Sequence, residues 1–296
     1  MCVTCGCGDS EGVTLSIADG EHEHVHADGT RHTHAHAAAF ARVPLRKPAH
    51  EHSHTASAVP ARDSHTIRLE AQILGKNQVV AERNRGWLSG REILALNLVS
   101  SPGAGKTALL ERTLNDLKAE LKISVVEGDQ ATSNDAERIR ATGVRAVQIN
   151  TGTGCHLEAD MLERALRALN PELASLLLIE NVGNLVCPAL FDLGERAKVV
   201  IFSVTEGEDK PLKYPHMFGA AEVLILSKID LLPHVRFDAA RAIANALTIN
   251  PRLAVFRVSA YTGEGMREWY DWLKGGLAVS MNGAAHATAG QPVSAE

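Results

Sequence analysis

Residues 100–107 read SSPGAGKT, between an apolar run, ALNLVS (95–100), and a stretch with helical periodicity, GKTALLERTLNDLKAEL (105–121). A loop that wraps an anion needs glycines so that backbone N–H groups can turn inward, and a lysine to reach the outer phosphates. It also needs a hydroxyl for magnesium. Gly103 and Gly105 supply the turn, Lys106 the charge and Thr107 the hydroxyl, with Ala104 and Ala108 in the same backbone cradle. Ser100 stands where the usual pattern has its first glycine. A chance glycine-rich turn is the alternative. The strand before and the helix after are the context a phosphate loop demands.

Working outward, strand and helix signals alternate. KISVVEGD (122–129), VRAVQIN (144–150), SLLLIEN (175–181), AKVVIFSVTE (197–206), AEVLILSKID (221–230) and AVFRVSA (254–260) read as buried strands. Helical patterns fall at 66–88, 134–143, 158–169, 236–247 and 264–274. Apolar strands separated by helices predict an α/β fold, a P-loop NTPase whose mostly parallel sheet is covered on both faces. The chain divides near residue 65. Residues 1–65 are rich in Ala, His, Thr, Gly and Asp, with Phe40 their one aromatic, and cannot bury enough apolar surface to order without metal. The expected organisation is therefore an arm at 1–65, a nucleotide domain at 66–275 and a flexible tail at 276–296.

Composition narrows the function classes. The chain has 296 residues, 45% apolar and 22% charged, with a net charge of −5. No basic face recommends nucleic acid, and no apolar run reaches the length of a membrane span. The start, MCVTCGCGDSEG, lacks the charged and apolar regions of a secretory leader, which predicts a cytoplasmic chain.

Ligands of open α/β sheets bind at the carboxyl edge of the strands, where the phosphate loop lies. Asp129 and Glu180 end two strands there and can hold magnesium or orient water. In ENVG (180–183) an acid is followed by Gly183, a pattern whose glycine N–H senses a γ-phosphate. SKID (227–230) is similar to the guanine-reading Asn-Lys-x-Asp element. Asp230 would accept from the base and Lys228 would lie along it, while Ser227 replaces the usual asparagine. Ser259 and Ala260, in VSAYTGEG, offer a backbone contact to the guanine oxygen. GTP is favoured over ATP.

Metal ligands crowd the other end of the chain. Three of the five cysteines, Cys2, Cys5 and Cys7, lie within CVTCGC. This spacing can close on one ion, and the set suits square-planar nickel or zinc. Ten of the 14 histidines fall within residues 1–65. Nine of them form three HxHxH triplets: His22, His24, His26; His32, His34, His36; His50, His52, His54. Alternate residues of an extended chain share a side, so each triplet can present several imidazoles to one ion. A third set, Cys155, His156 and Cys187, lies inside the nucleotide domain on segments leaving the active edge. It either meets as a metal site or comprises buried cysteines beside a helix-capping histidine. If the three residues meet, nucleotide state and metal affinity are linked reciprocally.

CVTCGC, SSPGAGKT, VEGDQATSNDAERI, TGTGCHLEADM, IENVGNLVCP, TEGEDKPLKYP and SKIDLLP together resemble the HypB family, the nickel-incorporation GTPases of hydrogenase maturation. The resemblance covers the amino terminus and residues from about 66 to 275. It implies slow hydrolysis of GTP to GDP with Mg2+, dimerisation on nucleotide or metal, and delivery of Ni2+ to the large-subunit precursor of nickel-iron hydrogenase with a partner maturation protein. It also implies a high-affinity nickel site at Cys2, Cys5 and Cys7, and a Ni2+ or Zn2+ site at Cys155, His156 and Cys187. Lys210 and Lys213, in GEDKPLKYP, would touch nucleotide or a second subunit, or lie on a solvated loop. Two other readings compete: a nickel reservoir whose nucleotide domain is incidental, and a related GTPase serving urease or another metalloenzyme. CVTCGC and the Cys155–His156–Cys187 set argue against the latter.

Overall fold

The computed structural model describes residues 14–17, 24–25, 31–32, 64–129 and 134–288. In chain order it begins with β1 (Thr14–Ile17), β2 (His24–Val25) and β3 (Arg31–His32), then α1 (Ser64–Ser89). The nucleotide-loop unit follows as β4 (Leu94–Ser100), α2 (Lys106–Leu117) and β5 (Ile123–Asp129). Next come α3 (Asn134–Ala141), β6 (Arg145–Asn150), α4 (Ala159–Leu169) and β7 (Leu176–Glu180). After α5 (Cys187–Leu190) and β8 (Ala197–Ser203) lie two short helices, α6 (Lys210–Lys213) and α7 (Pro215–Ala220). The chain continues through β9 (Val223–Ser227), a 3-10 turn (Ile229–His234), α8 (Ala239–Ile249), β10 (Ala254–Val258) and α9 (Met266–Thr288).

Eight strands form one sheet in the order β1-β6-β5-β7-β4-β8-β9-β10. Seven run parallel and β1 pairs antiparallel with β6 at the edge. The central strands are apolar nearly throughout because both faces are covered. Every residue of β4, β7 and β9 is buried. On one face Leu96 and Leu98 meet Leu110 and Leu114 of α2 and Trp269 of α9. On the other, Leu177 and Ile179 meet Leu162 and Leu166 of α4, while Phe202 and Leu224 meet Phe218 of α7. Each fully buried Leu or Phe contributes about 1.5–3 kcal/mol of transfer free energy.

Helix α1 is anchored by polar groups as well as by Leu88. Asn77 Nδ2 donates to Asp192 O at 2.7 Å, and its Oδ1 accepts from the Ala159 amide at 2.8 Å. Asn84 Nδ2 donates to Ala159 O at 2.8 Å and Leu193 O at 3.0 Å. The same helix face thus ties the start of α4 to the segment after α5.

Two expectations change. Four residues of the stretch read as unstructured, Thr14–Ile17, form β1, in which apolar Leu15 and Ile17 alternate with hydroxyl residues. The tail read as flexible from residue 276 is helical to Thr288, and α9 carries on through Gly275 and Gly276 to set Leu277 in the core, 7% exposed. Residues 19–67 form a separate unit, in which β2 and β3 pair antiparallel with His24 opposite His32.

Candidate functional site

The loop between β4 and α2 lines a cleft of about 460 Å³. Gly103 and Gly105 adopt φ values of 74° and 90°, the left-handed region that glycine enters without steric cost. Lys106 Nζ donates to Glu180 Oε1 at 3.0 Å and to Asn181 O at 2.5 Å. Thr107 Oγ1 donates to the same Glu180 oxygen at 2.7 Å. Asp129, at the end of β5, and Gly183, three residues past the end of β7, line the cleft beside Glu180. A Cβ on Gly183 would stand 3.2–3.3 Å from Pro102 atoms, so only glycine lets this segment lie against the phosphate loop without a shift.

Glu180 Oε2 is buried with no hydrogen-bond partner. A buried carboxylate oxygen without a donor is costly, and a magnesium ion or a held water would satisfy it. The residues present therefore fit the cation that a phosphate loop uses.

A second acid shares this place. Glu127 of β5 is in register with Glu180 of β7, and its Oε1 is also buried without a hydrogen-bond partner. Burial, then the charges of Glu180, Asp129 and Asp135, push its carboxyl up to about 8. The neutral carboxyl is favoured here far more than in an ordinary glutamate. The sequence reading named Asp129 and passed over Glu127. Strand alternation held the signal, since residues two apart share a face. Asp135 and Arg138, from α3, also line the cleft and were not anticipated.

A smaller pocket of about 220 Å³ adjoins the loop and is lined by Gly105, Ala108, Lys228, Asp230, Ala260 and Tyr261, among others. Its lining is largely apolar, with Asp230 as the acid, as expected for a flat base. Lys228 Nζ donates to Gly103 O at 2.7 Å, placing the aliphatic stem along the pocket. Ser227 Oγ donates to Ala104 O at 2.7 Å, so the hydroxyl still ties this strand end to the phosphate loop. Ser259 is fully buried and its amide is donated to Glu264 O, leaving Ala260 as the expected residue that faces the pocket.

Cys155, His156 and Cys187 converge, with one ligand atom from each lying within 4.8 Å of the others. The two sulfurs are 3.2 Å apart, and Cys155 Sγ is 3.7 Å from His156 Nδ1. The imidazole rests on the Phe191 ring at 4.0 Å between centroids, and burial pushes its pKa down to about 4. A neutral imidazole beside two thiols is a donor set for a borderline-soft divalent ion. His156 Nε2 is buried with no hydrogen-bond partner and lies 3.8 Å from Glu158 Oε1. That carboxylate stands where metal-bound histidines commonly keep an outer partner.

Several predicted residues fall elsewhere. Cys2, Cys5, Cys7, His22, His26, His34, His36, His50, His52 and His54 lie outside the described residues, and His24 and His32 are described only by their backbone. Lys210 pairs with Glu206, and Lys213 with Asp209 at 2.7 Å, and neither lysine lines the phosphate cleft. Among the described residues no helix is long and apolar enough to cross a membrane.

Residues 94–257 match the family described as CobW/HypB/UreG, nucleotide-binding domain. The chain is similar to the hydrogenase maturation factor HypB of Rhizobium leguminosarum bv. viciae, 62% identical over 208 residues and 70% of each chain. It is also similar to the crystal structure of HypB from Archaeoglobus fulgidus, at 41% identity and a TM-score of 0.64, over 69% of this chain and 99% of that one. HypB from Helicobacter pylori, solved in complex with nickel, gives 37% identity and a TM-score of 0.64, over 75% of this chain and all of its own.

Proposed function

Because the chain belongs to the HypB hydrogenase maturation factors of the CobW/HypB/UreG nucleotide-binding family, we propose that it is a GTP-hydrolysing nickel metallochaperone. It would store nickel and deliver it, with a partner maturation protein, to the large-subunit precursor of nickel-iron hydrogenase. Nucleotide state would gate metal binding and the association of two copies. The observation that carries this reading is the convergence of Cys155, His156 and Cys187 on the segment that leaves Glu180. Nickel in the solved relative from Helicobacter pylori supports the same choice of cargo.

In this reading Lys106 binds the β and γ phosphates, and Thr107 with Asp129 or Glu180 would hold magnesium, which neutralises phosphate charge. Whichever acid does not hold the cation orients the attacking water. Asp230 accepts from the guanine N1–H and exocyclic amine. The thiolates of Cys155 and Cys187 and the neutral imidazole of His156 bind Ni2+ or Zn2+. Cys2, Cys5, Cys7 and the histidine triplets supply the store. Exposed Val186 and Leu190, both 55% exposed beside Cys187, support the second-copy contact.

Phosphate release from GTP tests the reading. With magnesium present, the full chain is expected to turn over GTP in preference to ATP. Lys106→Ala is expected to lose at least about 100-fold in rate, the scale of one transition-state donor. It should also fail to restore hydrogenase activity to cells lacking the protein. Restoration by Lys106→Ala would favour the reservoir reading instead.

A further inference from the structure

Between the phosphate cleft and the thiol cluster lies a fully buried asparagine that the chemistry above leaves unused. Asn181 follows Glu180 and is 0% exposed. Its backbone carbonyl accepts from Lys106 Nζ at 2.5 Å. Its side-chain Oδ1 accepts from the Leu157 amide at 3.2 Å and the Val182 amide at 2.9 Å. Its Nδ2 donates to Asn97 Oδ1 at 3.2 Å, inside the sheet. Leu157 is the residue after His156. One residue therefore holds the phosphate-reaching lysine by its main chain and the metal-ligand segment by its side chain.

Asn184 adds a second bridge. Its Nδ2 donates to Cys155 O at 3.3 Å, and its Oδ1 accepts from the Val186 amide, next to Cys187, at 2.9 Å. Together the two asparagines fasten segment 181–187 onto segment 155–157. Close contact of Gly183 with Pro102 leaves that fastening little slack on the nucleotide side. Phosphate oxygens that take Lys106 compete with Glu180 and the Asn181 carbonyl for the same ammonium group. Buried amide groups have few alternative partners, so a displaced Asn181 must carry its Leu157 contact along or break it.

We propose that Asn181 is the positioning residue through which the nucleotide cleft and the Cys155–His156–Cys187 cluster are coupled. It rests on the nucleotide-gated carrier reading and names the residue that does the gating. A shift at Lys106 and Glu180 moves the Asn181 main chain, and its side chain moves Leu157 and the adjoining His156 relative to Cys187. By linkage, the same residue lets bound metal alter nucleotide affinity by an equal factor.

The experiment titrates the full chain with Ni2+ in GDP and in a non-hydrolysable GTP analogue. The domain site is isolated as the difference from a Cys187→Ser chain. Couplings of this type change affinity about 5- to 150-fold between states. Asn181→Ala is expected to bring that ratio to within about twofold of one while both nucleotides still bind. Asn250→Ala removes another buried amide, one bonded to Phe218 O and Ala221 O, and is expected to keep the wild-type ratio. A wild-type ratio of one would sink the gating reading and the relay together. A wild-type ratio retained by Asn181→Ala would sink the relay alone, as would its loss in Asn250→Ala, which would mark general loosening. Amide exchange at Leu157 in the unmodified chain gives a check that survives an unstable variant. Its protection should differ between the two nucleotide states, and equal protection would overturn the assignment.

Discussion

One carboxylate oxygen of Glu180 accepts from both Lys106 and Thr107, while its other oxygen has no hydrogen-bond partner. In the adjacent strand Glu127 faces the same cleft with its carboxyl pushed up to about 8. Below its ordinary value of 4.5, folded and unfolded chains both hold this proton. As pH rises toward 8 the unfolded chain has released the proton while the folded chain retains it, so stability falls across that window. In buffer free of magnesium and nucleotide, wild type should lose stability relative to Glu127→Gln by up to ~1.4 kcal/mol per pH unit between these values. Urea melts from pH 5 to 8.5 check this, and a pH-independent difference would contradict the burial argument. The phosphate loop, Asp129 and Glu180 could be placed from the sequence because they end apolar strands, and Asp230 because it closes SKID three residues past the end of β9. Glu127 could not, because what makes it unusual is first its burial and then the Glu180 carboxylate on the adjacent strand, and both are set by packing and strand register.

At the scale of elements, the parallel strands were readable from their unbroken apolar runs. Polar residues that anchor helices were not. Asn77 and Asn84 fall in the helical pattern at 66–88 with nothing in the sequence to single them out, yet both are buried and satisfy carbonyls or amides on two separate segments. Asn84→Ala leaves the Leu193 carbonyl without that donor, while the Ala159 carbonyl, at the head of α4, keeps its in-helix partner. The expected cost is about 1–3 kcal/mol for the one unsatisfied group, read as a lower urea midpoint with unchanged slope. A cost below about 0.5 kcal/mol would mean that α1 is held by its apolar contacts alone. The extension of α9 was hidden for the opposite reason. Its Ala, Gly and Ser content suggested a loose tail, whereas the packing of Leu277 in the core carries the helix past Gly276.

For the molecule as a whole, the parallel sheet brings the phosphate loop, the base pocket and the thiol cluster to its carboxyl edge. Val186 and Leu190 are exposed beside Cys187, and a second copy seated there would bury them. Leu190→Glu is expected to weaken self-association at least tenfold, about 1.4 kcal/mol, while GTP affinity stays within twofold of wild type. Sedimentation with nucleotide and Ni2+ measures the first and a binding titration the second. An unchanged dimer constant would place the contact elsewhere.

Cys187 follows Glu180 by seven residues, and the segment between them rests against Pro102 at Gly183. Under the proposed function this stretch would, in genetic terms, be a single locus with two phenotypes. A missense change within it would be scored as a hydrolysis defect in one assay and as a cargo defect in another. A screen that reads only the matured end product could not tell them apart, so alleles from this segment need both biochemical phenotypes recorded before they are sorted.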